Sequence, residues 1–190
     1  MEHFNTAPPD EARRTLLTCL HSTRWAHRLT AHRPYPDLPA LLAAADEAAY
    51  DLGPADLTEA LAAERLPVLP AQTYAAATMA LSAAAAAYEA RFGHTFVICV
   101  DGVAPAETLD RVLAAIRSRL ANDPEDERVA TADELRRLAR QRLGELLRGA
   151  APNPSAAPPR GAVDPRGPAP GARQKAPSRQ PPAADPSVHV

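Results

Sequence analysis

Apolar residues recur at helical spacing through most of the first 150 positions of the chain. After the double proline at 8–9, Asp10 stands where a helix cap belongs, ahead of Leu16, Leu17 and Leu20; Ser22 likewise precedes Trp25, Ala26 and Leu29. The RPYP stretch at 33–36 interrupts the pattern. From Asp37, the positions Leu38, Leu41, Leu42, Ala45, Ala48, Ala49 and Leu52 follow the 3.6-residue period, and Gly53 stands where a terminating glycine is favoured. A short helix is predicted over 54–64, presenting Leu57 and Leu61, before Pro67 and Pro70 preclude a continuous one.

An alanine-dominated helix is expected over 72–92, closed by Gly93. The run FVICV at 96–100 has the β-branched content of a buried strand, but there is no second such run to pair with it. A lone strand leaves its peptide groups without partners, so this run reads as an extended connector packed among helices. Leu109, Val112, Leu113, Ile116 and Leu120 then mark an amphipathic helix that stops before NDPEDE at 122–127. The last helix is expected to open at Thr131 and Glu134, in capping-box spacing, and to run to about Arg148. The fold class is all-α: a compact bundle of six to seven helices over residues 1–149.

Composition separates the remainder. Residues 151–190 hold 11 of the 21 prolines and no Leu, Ile, Met or aromatic, so 150–190 is expected to be a disordered Pro/Ala/Arg-rich tail. Aromatics make up 4% of the chain and alanine supplies much of its apolar content, which favours close helix–helix packing. The tail's five cations outnumber its two acids, giving +3; with −2 overall, the first 150 residues carry −5. A mildly acidic globule lacks the clustered cations that duplex nucleic acid requires. Lys175, in the tail, is the chain's one lysine, which argues against Schiff-base and P-loop chemistry. Cys19 and Cys99 stand 80 positions apart without a CxxC pattern and read as reduced, buried thiols. No run approaches a membrane span, and the acidic, polar beginning is unlike a signal peptide, so a cytoplasmic location is expected.

Candidate chemistry is sparse. Arg142 lies between Leu138 and Leu146 on the stripe that starts at Leu135, in the middle of the apolar face. A guanidinium pointing inward must find an anion or a set of carbonyls. Two readings stand: an anchor for an anionic substrate, or a structural partner of an internal carboxylate, with snorkelling as a variant of the latter. The six histidines form no helical metal pair, so no metal is expected. His94, just after Gly93, could face a cleft or rest in the core. No GxSxG, GxGxxG or GxxxxGK[ST] occurs, leaving triad hydrolases and nucleotide binders without support.

Several segments, in order, carry a resemblance: FN at 4–5, CLHSTRWAHRL at 19–29, RPYPDLPALLAAA at 33–45, YEARFGHTFVICVDG at 88–102, RLANDPEDE at 119–127 and ELRRLARQRLGELL at 134–147. Together these resemble the OHCU decarboxylases, the 2-oxo-4-hydroxy-4-carboxy-5-ureidoimidazoline decarboxylases of urate breakdown. The resemblance implies an all-helical, usually homodimeric enzyme that uses no cofactor and releases carbon dioxide to leave (S)-allantoin. The imidazolone ring can hold the electron pair left behind, so the protein need supply only an acid/base group and fixed donors.

Residue by residue, the resemblance implies substrate binding along the segment of Phe96, Val97, Ile98, Cys99 and Val100, and by Arg142 of the final helix. The family's catalytic histidine falls at Glu64, in AAERLPVLP, and its SxxEQ motif has no counterpart; Ala85 replaces an asparagine. Glu64 or His94 is the expected substitute acid. Three functions follow: the family's decarboxylation with an altered acid, action on another small anionic heterocycle, or a catalytically inactive relative with a binding or structural role.

Overall fold

The structure, a computed structural model, describes residues 1–67 and 75–149, which fall in one unit, Met1–Pro152. The expected tail, Pro70, and the start of the alanine-rich helix at 72–74 lie outside the described residues. Eight α-helices are present among those described: α1 Glu2–Thr6, α2 Pro9–Leu17, α3 Thr23–Ala31, α4 Leu38–Tyr50, α5 Pro54–Ala63, α6 Ala75–Phe92, α7 Thr108–Arg119 and α8 Pro124–Gly149. There is no strand among them. The all-α class holds, and the addition to the expected helices is the five-residue α1.

Two clusters make the core. Leu16, Leu20, Trp25, Leu29, Leu41, Leu135 and Leu143 pack where α2, α3, α4 and α8 meet. Trp25 is fully enclosed, and its indole N–H donates to the Ala45 carbonyl at 3.0 Å, which removes the cost of burying that donor. The second cluster joins α6 and α7 through Leu81, Tyr88, Val112 and Ile116, and takes Phe96 and Ile98 from the extended segment between them. The N-terminal end is pinned by polar contacts: Asn5 exchanges two hydrogen bonds with the backbone of Tyr35, and Arg33 donates to the carbonyls of Phe4 and Ala7.

Helix ends differ from expectation in three places. Asp10 is not a cap: α2 starts at Pro9, and Asp10 pairs on the surface with Arg13. Gly53 does not terminate α4 but precedes α5, its N–H held by Asp56 at 2.9 Å with φ at −81°. The last helix begins at Pro124, not Thr131, because Asp123 accepts the N–H groups of Glu125 and Asp126, both at 3.0 Å, and a proline at the first helical position needs no partner. Thr131 and Glu134 are therefore mid-helix, free to bind elsewhere. Ser22 does cap α3, accepting from Trp25 N–H, and Gly93 ends α6 at φ +77°.

The run at 96–100 is extended and unpaired, as its isolation in the sequence requires. Side chains take the place of a neighbouring strand: Arg119 donates to the Val97 carbonyl at 2.6 Å, and Glu134 accepts the Cys99 N–H at 2.8 Å. Arg119 also meets Glu127 and Thr131 and lies over the Phe96 ring, 4.7 Å from its centroid. One buried cation thus ties α7, α8 and the extended segment together.

Candidate functional site

The C-terminal end of α5 turns outward at Glu64, whose extended backbone (ψ 154°) aims the carboxylate inward. The carboxylate is 5% exposed and meets Arg142 of α8 as a two-pronged pair, Nη1 to Oε1 at 2.7 Å and Nη2 to Oε2 at 2.8 Å. Nη1 also donates to the Cys19 carbonyl at 3.1 Å. These hydrogen bonds donated to Glu64 hold the guanidinium's pKa above its ordinary value, so Arg142 is a permanent cation. A guanidinium has five N–H donors, and three are accounted for; Nε–H and the second Nη2–H have no partner among the described residues.

Arg142 lines a cleft of about 500 Å³. Its floor is Val97, Ile98 and Val100; Leu138, Gln141 and Glu145 of α8 form one wall, with Arg65, Pro67 and Thr108 around the mouth. Gln141 donates to Glu145 at 3.0 Å, so the cleft presents a cation, an amide and a carboxylate on consecutive turns of one helix. Gly102, at φ +73°, permits the turn that carries the chain from Val100 to Val103 beside this cleft.

The residues expected to contribute are distributed unevenly. Val97, Ile98, Val100 and Arg142 share the cleft. Phe96 points away from it, fully buried against Tyr88. Cys99 lines a second, adjoining cleft, its thiol donating to Gln141 Oε1 at 3.3 Å; being half-buried, it departs from the expectation of a buried thiol, whereas Cys19 is buried and its thiol pKa pushed up by desolvation. Glu64 lies behind Arg142, with both oxygens engaged. His94 rests in a separate, smaller groove with Pro54, Leu57 and Leu61, its ring edge-on to Tyr88 at 5.5 Å. Gln141 and Glu145 were not anticipated; the one signal available was their placement one and three residues from Arg142 on the same helix. No group of three metal-ligating side chains is assembled among the described residues, nor is any described helix long and apolar enough to cross a membrane.

Fold and cleft together define a small helical protein with an ion-paired guanidinium in the lining of a largely apolar cleft. Its sequence matches the profile of the OHCU decarboxylase family over residues 5–69 and 69–144, and the chain belongs to that family. No curated protein matches it. Solved structures that share the fold include an OHCU decarboxylase determined in the presence of (S)-allantoin (TM-score 0.62, 22% identity, covering 75% of this chain and 99% of that one) and an (S)-allantoin synthase (TM-score 0.61, 21% identity, 76% of this chain). The chain spans about half the length, 52%, of the allantoin synthase.

Proposed function

We propose that the cleft beside Arg142 binds the family's small anionic substrate, 2-oxo-4-hydroxy-4-carboxy-5-ureidoimidazoline, and promotes its decarboxylation to (S)-allantoin without a cofactor. The observation that carries this reading is that Arg142, with two N–H donors unengaged among the described residues, lines the same cleft as Val97, Ile98 and Val100. A substrate carboxylate can take the two remaining N–H donors, while the ring lies over Val97, Ile98 and Val100. In the reaction the bond from the hydroxyl-bearing ring carbon to the carboxylate breaks and carbon dioxide leaves; the electron pair passes into the ring as an enol, whose hydroxyl carbon becomes the ring carbonyl as a proton arrives on one face of the neighbouring, ureido-bearing carbon. Glu64, with both oxygens occupied, serves here as the residue that positions Arg142. Glu145 is the carboxyl at the cleft wall and the better-placed proton carrier. His94 reaches this cleft only if its groove rearranges. By family resemblance the working form is a cytoplasmic homodimer, which sedimentation would test.

The test is to supply freshly made urate oxidation product and follow optically active allantoin by circular dichroism. Faster formation and an excess of the S form over buffer support the proposal; rates and enantiomer ratios equal to buffer reject it. Loss of turnover in Glu145→Gln, but not His94→Ala, would support the assignment of the proton carrier.

One observation favours a second reading, binding without turnover: Glu64, which by resemblance stands where the family has its histidine, is a carboxylate locked onto Arg142. On that reading allantoin raises the thermal midpoint and no catalysis is seen.

A further inference from the structure

A second cleft of about 660 Å³ adjoins the Arg142 cleft, sharing Val103 and Gln141 with it, and four arginines line it, Arg111 of α7 and Arg137, Arg140 and Arg148 of α8, against a single lining carboxylate, Asp101. Two of these cations are already neutralised, Arg137 by Glu134 at 3.0 Å and Arg140 by Asp46. Arg111 and Arg148 have no carboxylate partner among the described residues. In a protein whose first 150 residues carry a net −5, unpaired cations gathered on one concavity run against the overall charge.

Arg148 is also held in place. Its Nε donates to the Gly144 carbonyl at 2.9 Å, folding the side chain back along α8. A Cβ at position 144 would come within 3.2 Å of its Nη2, so glycine leaves the room for this arrangement. Leu38 and Leu42 of α4 add an apolar face. The cleft therefore offers planar, weakly hydrated donors beside an apolar surface, in a volume suited to a small ligand.

We propose that this second cleft is a binding site for a small phosphoryl anion of two or more charges, such as pyrophosphate or a phosphate ester with a flat or apolar body, held by Arg111 and Arg148. The site adjoins the Arg142 cleft but is built on different cations, and it does not depend on the decarboxylase reading. Arginine suits this chemistry because its paired N–H groups match the spacing of phosphoryl oxygens.

The cleft contains its own reporter. Cys99 lines it and is partly exposed, while Cys19 is 1% exposed, so a thiol-alkylating reagent reads Cys99 in the folded full-length chain. Inorganic pyrophosphate at ten times its Kd should slow that alkylation about tenfold, relative to chloride at equal ionic strength. In the Arg111→Gln/Arg148→Gln chain, with folding checked by circular dichroism, the concentration needed should rise about tenfold or more. Protection should persist in Arg142→Gln. The proposal is overturned by protection no better than chloride, by protection undiminished in the double variant, or by its loss in Arg142→Gln, which would put the anion in the other cleft. Equal protection by citrate would overturn the phosphoryl assignment in favour of charge alone.

Discussion

Glu64 and Arg142 are separated by 78 positions in the chain and meet as a two-pronged ion pair, the acid enclosed and the base open along one edge. The asymmetry of exposure gives the pair a direction. The carboxylate depends on the guanidinium for its only ionic partner among the described residues, whereas the guanidinium can still turn to water or to a ligand.

Removing the two partners should therefore cost unequal amounts. Arg142→Met leaves a buried carboxylate unpaired, and a loss of about 3 kcal/mol is expected. Glu64→Gln keeps an acceptor for the guanidinium, which is about a third exposed, and should cost about 1 kcal/mol. Urea unfolding of the two variants checks the order; equal losses would show that Glu64 does not rely on Arg142.

Arg119 should rank among the most sensitive positions. Its side chain is 11% exposed and its partner Glu127 1%, and among the described residues it alone donates to the Val97 carbonyl. Arg119→Met is expected to destabilise by about 3–5 kcal/mol. It should also release the floor of the Arg142 cleft, seen as faster hydrogen exchange at 97–100. Destabilisation below about 1 kcal/mol would contradict the role given to this network.

Acid sensitivity should trace to Glu127. Burial raises its carboxyl pKa, but the hydrogen bonds from Arg119, Tyr88 and Asn122 outweigh it and hold the group below the ordinary 4.5. A depressed folded-state pKa means this contribution is complete above about pH 4.5 and is lost as the pH falls through the folded value. Urea midpoints from neutrality to about pH 3 should fall less steeply in Glu127→Gln than in the parent, though from a lower starting stability. Parallel curves would remove Glu127 from the account.

Gly144→Ala separates stability from binding. Alanine in a helix interior gains up to about 1 kcal/mol over glycine. The one close contact, 3.2 Å, is with the far end of the Arg148 side chain, which can move. The thermal midpoint should rise while pyrophosphate protection of Cys99 weakens. A lower midpoint would mean the helix cannot accept the methyl group.

Much of this arrangement was open to reading from residue order. Ser22 caps its helix because its hydroxyl reaches an N–H three residues on, a wholly local event. The run at 96–100 had to be unpaired once no second strand-like run existed. Even the inward position of Arg142 follows from the 3.6-residue period around Leu135, Leu138 and Leu146. Where local signals competed, the order misled: Thr131 and Glu134 have capping-box spacing, but Asp123 before Pro124 begins the helix earlier, releasing Thr131 to Arg119 and Glu134 to Cys99.

What the sequence determined by itself was the helical class, most helix positions and the presence of one cation on an apolar stripe, since each depends on neighbours within a few residues. The tertiary structure decided which carboxylate answers that cation, that His94 rests in a different groove, and that Cys99 turns from the Arg142 cleft toward a second one. Those outcomes depend on how distant helices pack. Hydrophobic burial is non-directional, so periodicity places a residue on an inward face without choosing the group it meets there.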